Sequence, residues 1–170
     1  MTDAPLATPY DPDALPPPTR RRGGTPLRKA TLTRRVAAPP EACMAILLDL
    51  DGWPAWRPGL QEVASVSDRP VTAGTAWTEA RALAGRGLQL GARAVQVESP
   101  LAFSYRLAGD GLEATVRWEL RPDGDGTLVT QACAARGRGL PARLGGLAAR
   151  FLEEQPAALD ALDALASKRA

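Results

Sequence analysis

Two stretches in the second half of the chain alternate apolar and polar side chains with period two. Leu101, Phe103, Tyr105 and Leu107 share one face, with Ala102, Ser104 and Arg106 opposite. Leu112, Ala114, Val116, Trp118 and Leu120 share another, against Glu113, Thr115, Arg117 and Glu119. Such alternation belongs to strands that are covered on one side and wet on the other. Further β-prone runs flank them at Thr31–Val36, Leu60–Val66, Thr75–Leu83, Leu88–Glu98 and Thr127–Ala135. Turn signals separate the runs: Ser99-Pro100, Gly109-Asp110-Gly111 and Pro122-Asp123-Gly124-Asp125-Gly126. Short strands joined by tight turns predict an antiparallel sheet.

The period changes at two places. Pro39-Pro40-Glu41 suits the first turn of a helix, where proline loses no hydrogen bond and an acid favours the dipole. Cys43, Met44, Ile46, Leu47, Leu48 and Leu50 give that helix an apolar face, and Asp49-Leu50-Asp51-Gly52 ends it. Trp53-Pro54-Ala55-Trp56-Arg57-Pro58 then fits a short helical turn or tight loop. At the C-terminal end, Leu140, Leu144, Leu147, Phe151, Leu159, Leu162 and Leu165 recur near 3.6 residues, and Pro156 kinks or splits the helix they define. A one-sided sheet beside a long amphipathic helix predicts a sheet curled around it.

Ahead of this pattern, residues 1–27 hold seven of the sixteen prolines and almost no large apolar residues. The segment reads as a disordered Pro/Arg-rich tail, with the folded domain running from 28 to 170. Arg20–Arg22 are fewer than the basic clusters that hold a protein to an anionic surface. The chain's formal net charge is +2. Counted through Lys29, the first residues carry all of it (Arg20, Arg21, Arg22, Arg28 and Lys29 against Asp3, Asp11 and Asp13), and the balanced remainder shows no basic stripe, so a nucleic-acid partner is not expected. No apolar run is long enough to span a bilayer, and a cytoplasmic location without stable membrane association is expected. Oligomeric state stays open.

Candidate chemistry is narrowed most by the count of zero histidines. That removes Ser-His-Asp and Cys-His nucleophile activation and histidine metal sites. No metal or cofactor is expected. Cys43 and Cys133 lie far apart without a CxxC and read as small buried hydrophobes. Three short motifs have simpler explanations. Gly137-Arg138-Gly139-Leu140-Pro141-Ala142 matches a dinucleotide fingerprint but has no following βαβ unit. Asp123-Gly124-Asp125-Gly126 lacks the calcium loop's twelfth-position Glu. Asp49 and Asp51 sit where capping explains them.

The ordered set of remaining features carries a resemblance. Ala38-Pro39-Pro40-Glu41 opens a helix that Leu48-Asp49-Leu50-Asp51-Gly52-Trp53-Pro54-Ala55-Trp56-Arg57-Pro58 closes. Gly74-Thr75-Ala76-Trp77 starts a strand, Glu98-Ser99-Pro100-Leu101-Ala102-Phe103 turns a hairpin, and Trp118-Glu119-Leu120-Arg121-Pro122 precedes Gly126-Thr127-Leu128-Val129-Thr130. From about residue 29 onward the chain resembles the START-like (SRPBCC, Bet v 1-like) superfamily, and within it the bacterial polyketide cyclase/dehydrase branch. The resemblance implies an α+β helix-grip fold: a bent antiparallel sheet wrapped around a long C-terminal helix, with two short helices between the first two strands. It also implies an internal cavity for a lipid, polyketide, quinone or similar apolar molecule.

The alternation nominates the lining of such a cavity: Phe103, Tyr105, Leu107, Val116 and Trp118 from the sheet, Leu147 and Phe151 from the helix, and Trp56 at the entrance. Ordinary core packing accounts for each of them equally well. Trp77 shares its face with Thr75, Glu79 and Arg81, so that face is either the wet one or holds a buried charged pair. Arg93 and Arg117 share the ambiguity. Three function classes follow. The first is a non-catalytic carrier or binder of a small hydrophobic molecule. The second is an aromatase/cyclase or dehydratase-like enzyme using Glu79, Arg81, Tyr105 and Arg117, where positioning alone can supply much of the rate. The third is a protein–protein module, which would need a large exposed apolar patch on the open sheet face.

Overall fold

The computed structural model describes residues 25–140 and 146–169. The tail before Thr25 and the part of the C-terminal stripe at Leu144 lie outside the described residues. Seven strands form one antiparallel sheet: β1 (Arg28–Val36), β2 (Leu60–Ala64), β3 (Ala76–Leu83), β4 (Arg86–Glu98), β5 (Ala102–Gly109), β6 (Leu112–Asp123) and β7 (Gly126–Gly137). Their order across the sheet is β1-β7-β6-β5-β4-β3-β2. Five consecutive hairpins thus run from β2 to β7, and β1 closes the far edge against β7.

The connection between β1 and β2 holds helix α1 (Pro40–Leu48) and a 3-10 helix over Leu50–Ala55. Proline in the first turn starts α1, and the Asp49 carboxylate accepts from the Gly52 backbone N–H at 3.3 Å to cap the next turn. The C-terminal helix is in two pieces, α2 (Leu147–Glu153) and α3 (Gln155–Arg169). The break falls at Glu154, just before Pro156, whose missing N–H and ring cannot continue a ladder from the preceding turn. This is the helix-grip architecture. A register shift between Ala94 and Gln96 puts an extra residue in β4 against β5, which sharpens the bend around the helix.

One face of the sheet packs inward: Trp77, Leu88, Leu90, Ala92, Phe103, Tyr105, Leu107, Val116, Trp118 and Leu120 meet Leu147, Phe151, Leu159 and Leu162 from the helix pieces. On the outer face, Glu113, Arg117 and Glu119 are half-buried and make salt bridges, so the open face is charged rather than apolar. Two expectations need correcting. Leu101 is 49% exposed, because it belongs to the turn that donates its N–H to the Glu98 carbonyl, and β5 begins one residue later. Ala102 and Ser104, expected on the wet face, are both buried, Ser104 between its cross-strand neighbours Gln96 and Arg117.

Candidate functional site

The segment after the 3-10 helix brings charge into the interior. Trp53 is fully buried, and its indole N–H donates to the Leu47 carbonyl at 3.1 Å, which locks the ring beneath α1. Arg57, four residues on, follows it inward and is only 4% exposed. Its guanidinium carbon lies 4.4 Å from the Trp53 ring centroid, 5.4 Å from that of Tyr105 and 5.9 Å from that of Trp56. Gly59 permits this path. Its φ is +68°, and a Cβ there would lie 2.5 Å from the Ala82 carbonyl oxygen. The loop can therefore press against β3, where the Ala82 N–H donates to the Gly59 carbonyl.

Strand β3 settles the open question about its face. Trp77, Glu79 and Arg81 all point inward, with Glu79 0% and Arg81 2% exposed. Register explains it: Trp77, Glu79 and Arg81 stand opposite Ala92, Leu90 and Leu88 of β4, all three buried. The indole N–H of Trp77 donates to Glu79 Oε1 at 3.1 Å. Arg81 Nη2 donates to the Pro58 carbonyl at 3.2 Å, while its Nε stands 3.6 Å from Glu79 Oε2 and its Nη1 3.9 Å from Glu154 Oε2. Glu154 reaches this point because it occupies the break between α2 and α3. The Arg81 guanidinium carbon also lies 5.3 Å from the centre of the Phe151 ring.

An aromatic wall completes the site. Trp53, Trp77, Phe103 and Tyr105 approach one another with centroids 5.2 to 6.3 Å apart, at edge-on or tilted angles that aromatic quadrupoles favour. Deeper in, Gln131 Nε2 donates to Gln155 Oε1, and Gln155 Nε2 donates to the Phe151 carbonyl. Several buried polar atoms have no hydrogen-bond partner among the described residues: Arg57 Nε, Glu79 Oε2, Arg81 Nε and Nη1, Tyr105 Oη, Trp118 Nε1 and Glu154 Oε2. Packed interiors pair nearly all such groups, so this cluster of orphans sets the region apart from ordinary core.

Burial sets the protonation pattern. It raises the Tyr105 phenol well above its ordinary value, so the group is a neutral O–H donor at neutral pH. The Cys133 thiol is pushed up to about 12 by burial, against the pull of Arg57. Burial likewise raises the Glu154 carboxyl, opposed by Arg81 and Arg57. Burial and the neighbouring Arg57 charge lower Arg81 below the usual guanidinium value. For Arg57 itself burial works against the charge, yet Tyr105 and Glu79 keep its pKa above the ordinary one. The interior therefore offers guanidinium and phenol donors beside two carboxyls. Among the described residues no group of three or more Cys, Asp or Glu is arranged to hold a metal ion.

Of the residues nominated from sequence, Trp77, Phe103, Tyr105, Leu107, Val116, Trp118, Leu147 and Phe151 are buried in the one core, together with Glu79 and Arg81. Trp56 is half-buried against that core. Arg117 turns outward to Glu119, and exposed Arg93 donates to the Gly74 carbonyl. Sequence reasoning missed Trp53, Arg57, Glu154, Gln131 and Gln155. The signal for Trp53 and Arg57 lay in their spacing of four, one helical turn, which places them on the same side.

The model of a family described as polyketide cyclase/dehydrase and lipid transport matches residues 28–167. The chain belongs to that family. No curated protein matches its sequence. Among solved structures, the family's fold recurs in the Zhui aromatase/cyclase from Streptomyces sp. R1128, at TM-score 0.72 and 18% identity over 84% of this chain and 95% of that one. It recurs in a START superfamily protein from Mycobacterium smegmatis, at TM-score 0.66 and 19% identity over 84% and 99%. A ginseng major latex-like protein from Panax ginseng aligns at TM-score 0.64 and 9% identity over 82% and 97%. No described helix of this member is long and apolar enough to cross a membrane.

Proposed function

We propose that this protein binds a small, largely apolar molecule between the sheet and the C-terminal helix, with a polar end of that molecule at Arg57 and Tyr105. One observation carries the reading: a wall of Trp53, Trp77, Phe103 and Tyr105 surrounds donors with no partner of their own. A core built only for stability does not gain from burying an unpaired guanidinium, because desolvating such a group costs several kcal/mol. An apolar ligand with one polar end suits both parts, since binding sites of this kind are mostly apolar with a few placed polar groups. In this reading the ligand is held and carried rather than transformed: the chain has no histidine, and among the described residues both cysteines are buried with raised pKa values. Native mass spectrometry after incubation with apolar extracts tests this. A retained small molecule is expected. A protein that retains none, with a solidly packed dry interior by crystallography, overturns the reading.

The buried set of Glu79, Arg81, Tyr105 and Glu154 favours a second reading, an aromatase/cyclase or dehydratase-like enzyme. Arg57 and Tyr105 would hold a carbonyl oxygen while a carboxyl takes the neighbouring proton, a division of labour that general acid–base catalysis requires. Arg117 drops out of this set because it lies on the outer face. Turnover of a poly-β-keto thioester that is lost in Tyr105→Phe and Glu79→Gln would favour the enzyme. Binding of that compound without turnover would favour the carrier.

A further inference from the structure

The orphaned donors and acceptors inside the site can be matched against each other. Arg81 Nε faces Glu79 Oε2 at 3.6 Å, and Arg81 Nη1 faces Glu154 Oε2 at 3.9 Å, so a small movement pairs these four atoms. Trp118 and Gln131 are direct cross-strand partners on the inner face, with an unpartnered N–H on one and an unpartnered carbonyl on the other. Two groups remain: Arg57 Nε and Tyr105 Oη. Tyr105 Oη can accept from the neighbouring Arg57, but that pair still leaves the phenol proton and the guanidinium charge without a close anionic partner among the described side chains.

Their placement tells what kind. The rings of Trp53, Trp56 and Tyr105 lie within 4.4 to 5.9 Å of the Arg57 guanidinium carbon. Aromatic neighbours engage a guanidinium through its face, whereas its N–H donors lie in its plane and need oxygen atoms there. Among the described residues, no carboxylate comes within ion-pair distance of Arg57, because Glu79 and Glu154 both lean on Arg81. A neutral carbonyl would fill the hydrogen bonds and leave the buried charge without a close counterion. A carboxylate supplies both, and its two oxygens match the fork of donors.

We propose that the ligand is an apolar carboxylic acid, its carboxylate paired with Arg57 and accepting the Tyr105 hydroxyl, its body against Trp53, Trp77 and Phe103. The proposal rests on the binding reading above and adds the charge of the ligand. It makes Arg57 the residue that selects acids over the corresponding esters and alcohols. Arg81 keeps its two carboxyls and takes no part in the selection.

The test is a set of matched probes on the intact protein: dodecanoate, methyl dodecanoate and dodecanol, and 2-naphthoate with its methyl ester. Calorimetry and tryptophan fluorescence give the affinities, the latter because Trp53 and Trp77 lie in the wall. At neutral pH each bound acid should exceed its ester by about tenfold or more, the scale of one charge-assisted contact. Arg57→Met should bring the acid-to-ester ratio close to one, while Arg57→Lys retains part of the preference. The wild-type comparison stands even if Arg57→Met fails to fold. Equal binding of acid and ester by the wild type overturns the charge assignment and leaves the binding reading intact. A preference that survives in folded Arg57→Met overturns the role of Arg57. If none of the five probes binds, the binding reading fails and the acid proposal fails with it.

Discussion

Glu79 and Arg81 stand two residues apart on the inner face of β3, with Oε2 and Nε 3.6 Å apart and both side chains out of water. That distance is an ion pair but exceeds a good hydrogen bond, so desolvation is only partly offset. Removing one partner strands the other. Glu79→Leu should therefore cost about 3–5 kcal/mol in urea unfolding, while Glu79→Leu combined with Arg81→Met should recover much of it. A double variant that loses the sum of the two single losses would show that the pair is not coupled.

Phe151 tests whether the helix side of the interior is ligand space or plain packing. Its ring is fully buried and lies under the Arg81 guanidinium. If it lines the ligand's space, some of its surface already lacks packing partners. Phe151→Ala should then cost about 1.5–3 kcal/mol, the transfer contribution alone, and should weaken ligand binding more than stability. A loss of about 3–5 kcal/mol with unchanged ligand affinity would place the ring in ordinary core.

Both thiols should be inert in the native state. Cys43 and Cys133 are buried, and burial raises each above its ordinary pKa, so neither offers a thiolate near neutrality. Dithionitrobenzoate at mildly alkaline pH should label them only after unfolding, and fast native labelling of Cys133 would mean that the interior is open to bulk solvent. The same shift has a stability sign. An acid whose folded pKa is raised keeps its proton in the native state while the unfolded thiol loses it. Stability due to Cys133 should thus fall as pH rises from 9.0 toward about 12. Cys133→Ala should flatten that decline in alkaline unfolding curves, with the Tyr105 phenol still contributing.

The boundary of the folded unit can be located by truncation. Thr25 donates its backbone N–H to the Gly137 carbonyl at 3.0 Å, and its hydroxyl accepts from the Gly137 N–H at 2.7 Å, extending the β1–β7 edge. Deleting residues 1–24 should leave the melting temperature within a few degrees, because no periodic apolar face is lost. Deleting 1–27 should lower it further, since the Thr25 contacts go too. A large drop already on removing 1–24 would give the Pro/Arg-rich segment a role in the fold.

Most of the scaffold was legible in the residues themselves. Alternation placed β5 and β6, turn signals separated β4 through β7, proline marked both the start of α1 and the break before α3, and the family resemblance carried by the order of these features implied the helix-grip frame. These are local properties: period, turn chemistry and capping act over a few residues, so a linear reading reaches them. The site was only half legible. Tyr105, Phe103 and Trp118 followed from alternation, but the face of β3 could not be assigned, because Trp77 argued inward while Glu79 and Arg81 argued outward. Register against Leu88 and Leu90 of β4, and the closing of Glu154 over the sheet, decided it. For Arg57 the spacing of four from Trp53 was the one local signal, and it could not say that the guanidinium is buried. That depends on Tyr105 of β5 and on the close approach of Gly59 to β3, which meet the Trp53–Arg57 turn only once the chain has folded.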